Sequence, residues 1–222
     1  LQGLSSGVAL INQNNNVGEG VRLDYGYLTA NKFTASGSWA TPATAPTIDD
    51  IERVLTAASN NGSAIRHLIM DLATFNAIRK SKQGQELYAR SVANFGTNLA
   101  TANKAQFLSA FKDEFDADII INDRSVNLEK IGVVTNAKAW TAGQIIFLQD
   151  LNVGSLVWSE LAEKNHPVGG VEYSEVDQYI LAAKFSVNEP TVAEKSRAQA
   201  RVVPVIADVN NIYKLDTLTV GT

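Results

Sequence analysis

The sequence predicts an α+β fold, in which helices and mainly antiparallel strands occupy different parts of the chain. Two observations support this prediction. Residues 47–115 carry apolar positions at helical spacing, whereas from Ala117 onward apolar and polar residues alternate with the two-residue period of strands. No βαβ alternation of the kind that builds a parallel sheet is present. With 222 residues, the chain can bury one substantial core or two smaller lobes.

The first 46 residues are rich in Gly, Ser, Asn and Thr and have no helical periodicity. Short β-prone segments at 8–11, 21–23 and 25–28 alternate with Gly and Asn, which predicts an extended, hairpin-like excursion. Because this segment can bury little of itself, we expect it to lie on the body of the protein or on a neighbour. The chain opens with Leu1 and its single methionine is Met70, so we also expect a natural segment before Leu1.

The helical part begins after Pro46. Thr47 and Asp50 have the spacing of a capping box, and apolar residues from Ile48 to Ala58 recur at helical spacing. Asn61-Gly62 predicts a left-handed end to this helix. Further elements are predicted as a strand over 65–71, helices over 72–81 and 86–93, and a helix opened by Asn103 with Gln106.

Strands are predicted for the second half, at 119–122, 131–134, 144–148 and 155–159. The most regular alternation lies at 178–187, and a turn at 188–190 leads into a second long strand. One face of that strand carries Lys195, Arg197 and Arg201. Pro204 lacks an N–H group, which predicts that the strand ends there at the edge of a sheet.

Composition excludes several classes of function. The net charge of −4 argues against a dedicated nucleic-acid binder, although not against a protein that encloses nucleic acid. With no cysteine, the chain has no disulfide, thiolate nucleophile or sulfur-ligated metal. No apolar run is long enough to span a membrane, and the chain does not begin like a signal peptide.

The motifs for catalysis are weak. His67 and His166 lie on unrelated segments without a partner at metal-ligand spacing, and each is interpreted as a strand-end or loop residue. The glycine pairs at 18–20 and 169–170 lack the pattern of a phosphate-binding loop. We therefore expect no enzymatic activity, no cofactor and no metal site.

Two charged clusters remain as candidate sites. One is acidic and could bind a divalent cation or act in general acid–base catalysis, although a solvated surface is the favoured interpretation; it comprises Asp113, Glu114, Asp116, Asp118 and Asp123. The other is the basic row of Lys195, Arg197 and Arg201. A solvated strand face accounts for it as well as a contact does, and pairing with acids of another subunit is preferred over phosphate because the chain is acidic.

Four stretches in the same order resemble the lambda-type (gpE-like) major capsid proteins of tailed phages, which have the Hong Kong 97-like fold. They are Leu23-Asp24-Tyr25-Gly26 with Asn31-Lys32, Ser38-Trp39 and Pro46; the helix and strand over 47–75; the hairpin over 143–160; and 184–206 with Glu189-Pro190 and Val203-Pro204-Val205. The resemblance implies an N-terminal arm before these stretches, which we expect to belong to the natural segment before Leu1.

The resemblance implies a division into three parts. These are an extended loop (E-loop) remnant at 1–45, a P-domain with a spine helix and long strands at 46–100 and 167–205, and an axial A-domain at 101–166 and 206–222. It also implies a structural subunit that assembles in the bacterial host cytoplasm into the pentamers and hexamers of an icosahedral virion shell. The shell would enclose DNA without sequence-specific binding, with scaffold or decoration proteins as further partners and no membrane.

Two other functions remain open. The first is the shell of an encapsulin-like nanocompartment, which encloses a protein cargo instead of DNA. The second, more remote, is a hydrolase that uses the acidic cluster.

Overall fold

A computed structural model of the chain describes residues 2–11, 21–91, 101–130, 133–177, 179–187 and 193–221. These residues form two compact units, one comprising 1–153 with 208–222 and the other 154–207. The combination of helices with several sheets confirms the predicted α+β class.

The α-helices and strands of the described residues are numbered along the chain. The helices are α1 (Gln2–Ser6), α2 (Thr47–Asn60), α3 (Leu72–Lys80), α4 (Lys82–Ser91), α5 (Lys104–Phe115) and α6 (Ala162–Asn165). The strands of the first unit are β1 (Val8–Ile11), β2 (Val21–Asp24), β3 (Lys32–Ala35), β4 (His67–Met70), β5 (Asp118–Ile121), β6 (Ser125–Lys130), β7 (Val133–Lys138), β8 (Gln144–Leu148) and, near the C-terminus, β13 (Tyr213–Val220). The strands of the second unit are β9 (Gly154–Ser159), β10 (Val171–Asp177), β11 (Ile180–Val187) and β12 (Ala193–Ile206).

The first unit is built on a mixed five-stranded sheet in the order β3-β13-β8-β4-β5. β13 runs parallel to β3 and antiparallel to β8, while β4 runs antiparallel to β8 and parallel to β5. All five residues of β8 are buried, as expected for a central strand that is covered on both faces. Its bounds, 144–148, are those predicted from the sequence. The apolar core around the sheet includes Ile51, Val54, Phe75, Ile78, Leu87, Phe107 and Phe111, which lie on α2, α3, α4 and α5.

Helix α2 begins at the predicted residue, but the predicted capping box is wrong. Thr47 is buried, and its hydroxyl lies 2.7 Å from Ser81 Oγ instead of accepting from the first turn. The first-turn N–H groups of Ile48 and Asp49 donate to the side-chain oxygen of Gln83, at 2.8 Å and 3.3 Å. Gln83 lies on α4, so a residue distant in sequence satisfies the free N–H groups that every helix N-terminus presents.

The end of α2 and both ends of α5 are formed by residues that are close together in the sequence. Gly62 has a φ of +78°, which confirms the left-handed position predicted after Asn61. Asn103 accepts a hydrogen bond from the Gln106 N–H at 2.9 Å, and the Gln106 side chain accepts from the Asn103 N–H, which confirms the predicted start of α5. At the other end, Asp116 adopts a left-handed conformation with a φ of 50°.

The N-terminal excursion has an anchored base. β1 and β2 form the predicted antiparallel hairpin, and the run around Asn12 to Asn16 lies outside the described residues. Below the hairpin, Ser5 is buried and its hydroxyl lies 2.9 Å from Thr141 Oγ1. Tyr27 is 5% exposed and donates its hydroxyl to the Leu4 carbonyl at 2.9 Å. The base of the excursion therefore rests on the body of this chain, one of the two expected locations.

We expect Tyr27→Phe to reduce the loss of stability at alkaline pH. Burial, followed by the nearby Tyr25, raises the pKa of Tyr27 above its ordinary value of 10.0. The folded protein therefore keeps a proton that the unfolded chain releases, and the free energy of unfolding falls as the pH rises above about 10. Urea unfolding at about pH 8 and about pH 11 measures this, because the wild type should lose more stability than the variant. Equal losses in the two proteins would contradict it.

The second unit is a four-stranded antiparallel sheet in the order β10-β11-β12-β9, together with the short helix α6. β12 changes partner along its length, since residues 193–200 pair with β11 and residues 201–206 pair with β9. Leu181 and Ala183 are buried on one face of β11, as the alternation predicts.

Two strand predictions need correction. Of the strand predicted at 131–134, residues 131–132 lie outside the described residues, and 133–134 begin the longer strand β7, which pairs with β6. The strand predicted to end at Pro204 continues to Ile206, with Pro204 opposite Leu156 of β9. Proline is tolerated here because the register with β11 ends at Ala200, so at residue 204 the described ladder runs to β9. The turn predicted at 188–190 lies outside the described residues.

Two further expectations are wrong. Residues 25–28 form no strand, although they continue from β2. The hairpin implied over 143–160 does not form either, because its two strands belong to different sheets. β8 pairs with β4 and β13, whereas β9 pairs with β12. A short connection between two strands suggests a hairpin, but more distant strands are the partners here.

Candidate functional site

The basic row lies on β12, where its three side chains are exposed. In the strand register Lys195 is opposite Phe185, Arg197 is opposite Ala183 and Arg201 is opposite Ser159. Since every second residue of a strand points to the same face of a sheet, the row lies on one face, and it extends over about 20 Å at the rise of a β-strand. The structure therefore brings the predicted row together.

No described residue forms an ion pair with Lys195, Arg197 or Arg201. Other cations of the same unit are paired within the chain. Lys184 Nζ lies 2.7 Å from Glu194 Oε1, and Lys164 Nζ lies 2.9 Å from Glu175 Oε1. These carboxylates raise the pKa of both lysines by hydrogen bonding and charge attraction. The three cations of the row are thus available to a partner outside the described residues.

The basic row runs into an apolar ribbon, which we define as β9 together with residues 201–206 of β12 and which contains Arg201. The backbones approach closely at its start, where a Cβ on Gly154 would lie 1.9 Å from the Val205 carbonyl oxygen. Several of its large apolar side chains are exposed: Leu156 by 57%, Val157 by 52%, Trp158 by 38%, Val202 by 36% and Val205 by 42%. The Trp158 ring stacks on Tyr179 with a centroid distance of 6.5 Å.

The ribbon is not predicted from the sequence, which indicates a strand at 155–159 but no role for it. Its signal is the run Leu156-Val157-Trp158, in which consecutive residues are apolar, although consecutive residues of a strand point to opposite faces. Such a run is typical of a strand that is buried on both faces.

The acidic cluster does not converge on one point. Asp118 lies 2.9 Å from Lys112 Nζ, Asp116 lies 3.4 Å from Arg66 Nη1, and Asp123 lies 3.2 Å from Lys138 Nζ. Glu114 lies 4.0 Å from Arg90, and Asp113 is exposed. Within the described ranges, no three histidine or carboxylate side chains are grouped as ligands of a metal ion. The arrangement is that of a surface with mixed charges.

The two histidines occupy separate units. His67 is the first residue of β4, half-buried, and its Nδ1 atom has no hydrogen-bond partner among the described residues. His166 follows α6 and is exposed. Gly170 has a φ of +80° in a turn, and the glycine pair at 18–20 lies outside the described residues.

Clefts open on the first unit at two places. An apolar cleft of about 290 Å³ is lined by Trp39, Gly143 and Leu218 among others. A polar cleft of about 590 Å³ is lined by residues that include Arg66, Asp150 and Asp208. The described lining of neither cleft combines a nucleophile with a histidine base, the arrangement that nucleophilic catalysis requires. No helix in the described part of the chain has the length and hydrophobicity needed to cross a bilayer.

No family model matches the sequence, and no curated protein matches it. Solved structures do match. A protein assigned as a capsid protein of a prophage in E. coli CFT073 aligns with a TM-score of 0.64 and 16% sequence identity, over 97% of this chain and 60% of that one. A phage-related protein from Bordetella bronchiseptica aligns with a TM-score of 0.48 and 12% identity, over 86% of this chain and 58% of that one.

This chain spans about three-fifths of the length of the prophage protein. The likeness extends over nearly the whole of this chain, at an identity where it reports on fold and not on activity. The narrower resemblance to the lambda-type family stays a prediction. The chain therefore has a phage-capsid-like α+β fold.

Proposed function

We propose that this chain is a structural subunit of a tailed-phage or prophage capsid, which assembles with copies of itself into an icosahedral shell around DNA. The observation that carries this proposal is the fold likeness to a prophage capsid protein over 97% of the chain. The role is architectural, with no catalytic step. The exposed apolar ribbon gives independent support, because apolar patches on a surface mark sites of protein interaction.

Within this proposal, residues 1–45 form a remnant of the extended loop, 46–100 and 167–205 the P-domain, and 101–166 and 206–222 the A-domain. In this division α2 serves as the spine helix, and the compact unit at 154–207 combines 167–205 of the P-domain with 154–166 of the A-domain. The partners are other copies in pentamers and hexamers, with scaffold or decoration proteins as further candidates. The shell forms in the bacterial host cytoplasm and becomes part of the virion. Its enclosed DNA is held without sequence-specific contacts, in keeping with the net charge of −4.

Expression of the complete gene product should yield closed hollow particles, because each copy carries surfaces for several others. Negative-stain microscopy and sedimentation check this directly. Nuclease-resistant DNA in particles from induced cells is the expected content. A protein cargo in place of DNA would instead favour the nanocompartment function. A product that stays monomeric under all assembly conditions would overturn the shell proposal.

The basic row supports a further part of this proposal, namely that Lys195, Arg197 and Arg201 pair with acids of a neighbouring copy. Their exposure, and the lack of an ion pair with any described residue, support this assignment. Charges at the rim of an interface act mainly on association, so their reversal should affect assembly more than folding.

Arg197→Glu combined with Arg201→Glu should raise the concentration needed for assembly about tenfold or more, because two attractive pairs become repulsive. Light scattering against protein concentration measures the threshold, and thermal unfolding of the unassembled subunit serves as the folding readout. Arg124→Glu combined with Lys104→Glu is the matched control, since it changes the net charge equally and both residues are exposed on the other unit. An equal change of threshold in the control would mean that net charge, and not the row, is responsible.

A further inference from the structure

The apolar ribbon carries exposed apolar side chains on both of its faces. The register places Leu156, Trp158, Val202 and Pro204 on one face. Val157, Val203 and Val205 lie on the opposite face, together with Ser155, Ser159 and Arg201. Both faces are accessible, since Leu156 is 57% exposed on the first and Val157 is 52% exposed on the second. The ribbon thus differs from an ordinary surface hairpin, which turns one polar face to water.

A two-stranded ribbon of this kind is not stable on hydrogen bonds alone. Isolated hairpins are marginal in water and need packing on at least one face. Here a cover on one face would leave the other face, with its own valines, in contact with water. Complete burial therefore requires two covering surfaces, one on each side.

The size of the ribbon limits what can cover it. Six residue pairs at the rise and spacing of β-strands make a ribbon about 20 Å long and about 10 Å wide, so each face offers about 200 Å². A stable pairwise complex buries about 800 Å² on each partner. One ribbon face is too small to hold a separate partner by itself. When the same small contact is repeated between many copies, the total buried area becomes large.

The charges of the same sheet favour another copy of this chain as the occupant. The edge strand β10 carries Glu172, Glu175 and Asp177 and no lysine or arginine, although Glu175 is paired with Lys164 within the chain. β12 carries the basic row and one acid, Glu194, which is paired with Lys184. The acidic strand is one edge of the sheet, and residues 193–200 of β12, which pair only with β11 among the described residues, lie at the other. This distribution suits head-to-tail contact between identical copies, in which the basic side of one sheet meets the acidic edge of the next.

We infer that the apolar ribbon is a two-sided contact, clamped between two other copies of this chain. This inference rests on the proposed shell function, and it names one surface through which the copies contact each other. It differs from the basic-row proposal because it concerns the apolar side chains of both faces and predicts two neighbours for each ribbon.

The absence of cysteine from the sequence allows each face to be probed by one introduced thiol. Leu156→Cys reports on the first face and Val157→Cys on the second, with Val202→Cys and Val205→Cys as second reporters on the same two faces. Ala58→Cys is the control, since Ala58 is fully buried in α2 and should be protected with or without assembly. The rate of maleimide labelling is measured for unassembled subunits and for purified particles.

We expect labelling on both faces to slow by about tenfold or more on assembly, as contacts remove the thiols from solvent. Particles in which either face still labels at the unassembled rate would overturn the two-sided contact while leaving the shell function intact. If no particles form, the shell function fails. The ribbon is then judged by sedimentation velocity with Leu156→Lys and Val157→Lys, each compared with the wild type. Self-association that both substitutions abolish would support the contact, and absence of self-association in the wild type would overturn it.

Discussion

Asp50→Ala should lower the free energy of unfolding by about 3 kcal/mol, because it removes the acceptor for buried hydrogen bonds. The Asp50 side chain is 1% exposed. It accepts from the Ser36 N–H at 3.0 Å and from Trp39 Nε1 at 2.9 Å, and it lies 3.0 Å from Arg53 Nη2. Each donor that loses a buried acceptor costs about 1–3 kcal/mol.

The matched control for Asp50 is Glu52→Ala on the same helix. Glu52 is exposed, and a surface substitution of this kind changes stability by about 0.5 kcal/mol or less. Urea denaturation of both variants gives the difference. Trp39 fluorescence should also shift in the Asp50 variant, since its indole N–H loses its partner. If Asp50→Ala and Glu52→Ala unfold at the same urea concentration, the carboxylate does not hold residues 36–39 against α2.

Phe107→Ala should destabilise the first unit by about 3–5 kcal/mol, through lost burial and the cavity left behind. Phe107 is 0% exposed. Its ring meets Phe75 edge-on, with a centroid distance of 5.8 Å and an interplanar angle of 78°, and lies 6.4 Å from the Phe111 ring. It therefore joins α3 to α5 inside the core.

Phe115→Ala provides the comparison for Phe107, because Phe115 lies at the end of the same row of rings and is only partly buried. Its smaller buried area should give a smaller loss of stability. Phe107→Leu, which keeps most of the volume, should cost about 1.5 kcal/mol or less. If the two alanine substitutions lower the free energy of unfolding equally, Phe107 contributes no more to the core than the partly buried Phe115.

The elements that can be predicted from the sequence are those specified by neighbouring residues. The start of α5 depends on Asn103 and Gln106, three positions apart, and the end of α2 depends on Gly62. β8 has the predicted bounds because its uninterrupted apolar run fits a central strand. In each case the residues that decide the structure lie within one turn or one strand.

The features that cannot be predicted in this way depend on residues far apart in the chain. Gln83 caps α2 from another helix, and the spacing that assigns Asp50 to a local capping box gives no sign of its partners Ser36 and Trp39. Spacing alone cannot distinguish these uses of a polar side chain. The division of the chain at 153/154 and 207/208 likewise results from which strands pair.

The candidate site is predictable in part. The basic row follows from simple alternation on one strand, so the sequence alone places Lys195, Arg197 and Arg201 on one face. The apolar ribbon does not follow in the same way, because consecutive apolar residues indicate burial without indicating what covers them. The fold leaves Leu156 and Val157 exposed, which separates a contact surface from a core strand.

The change of partner along β12 has a mechanical consequence. Between Ala200 and Arg201 the ladder passes from β11 to β9, so a bend at this point breaks no hydrogen bond of either ladder. The Trp158 and Tyr179 rings, and the Lys164–Glu175 ion pair, are side-chain contacts between the two parts of this unit. A joint of this kind lets identical subunits meet at more than one inclination. In the proposed shell, identical copies form both pentamers and hexamers and need that freedom; here a bend adjusts side-chain contacts and leaves the strand ladders intact.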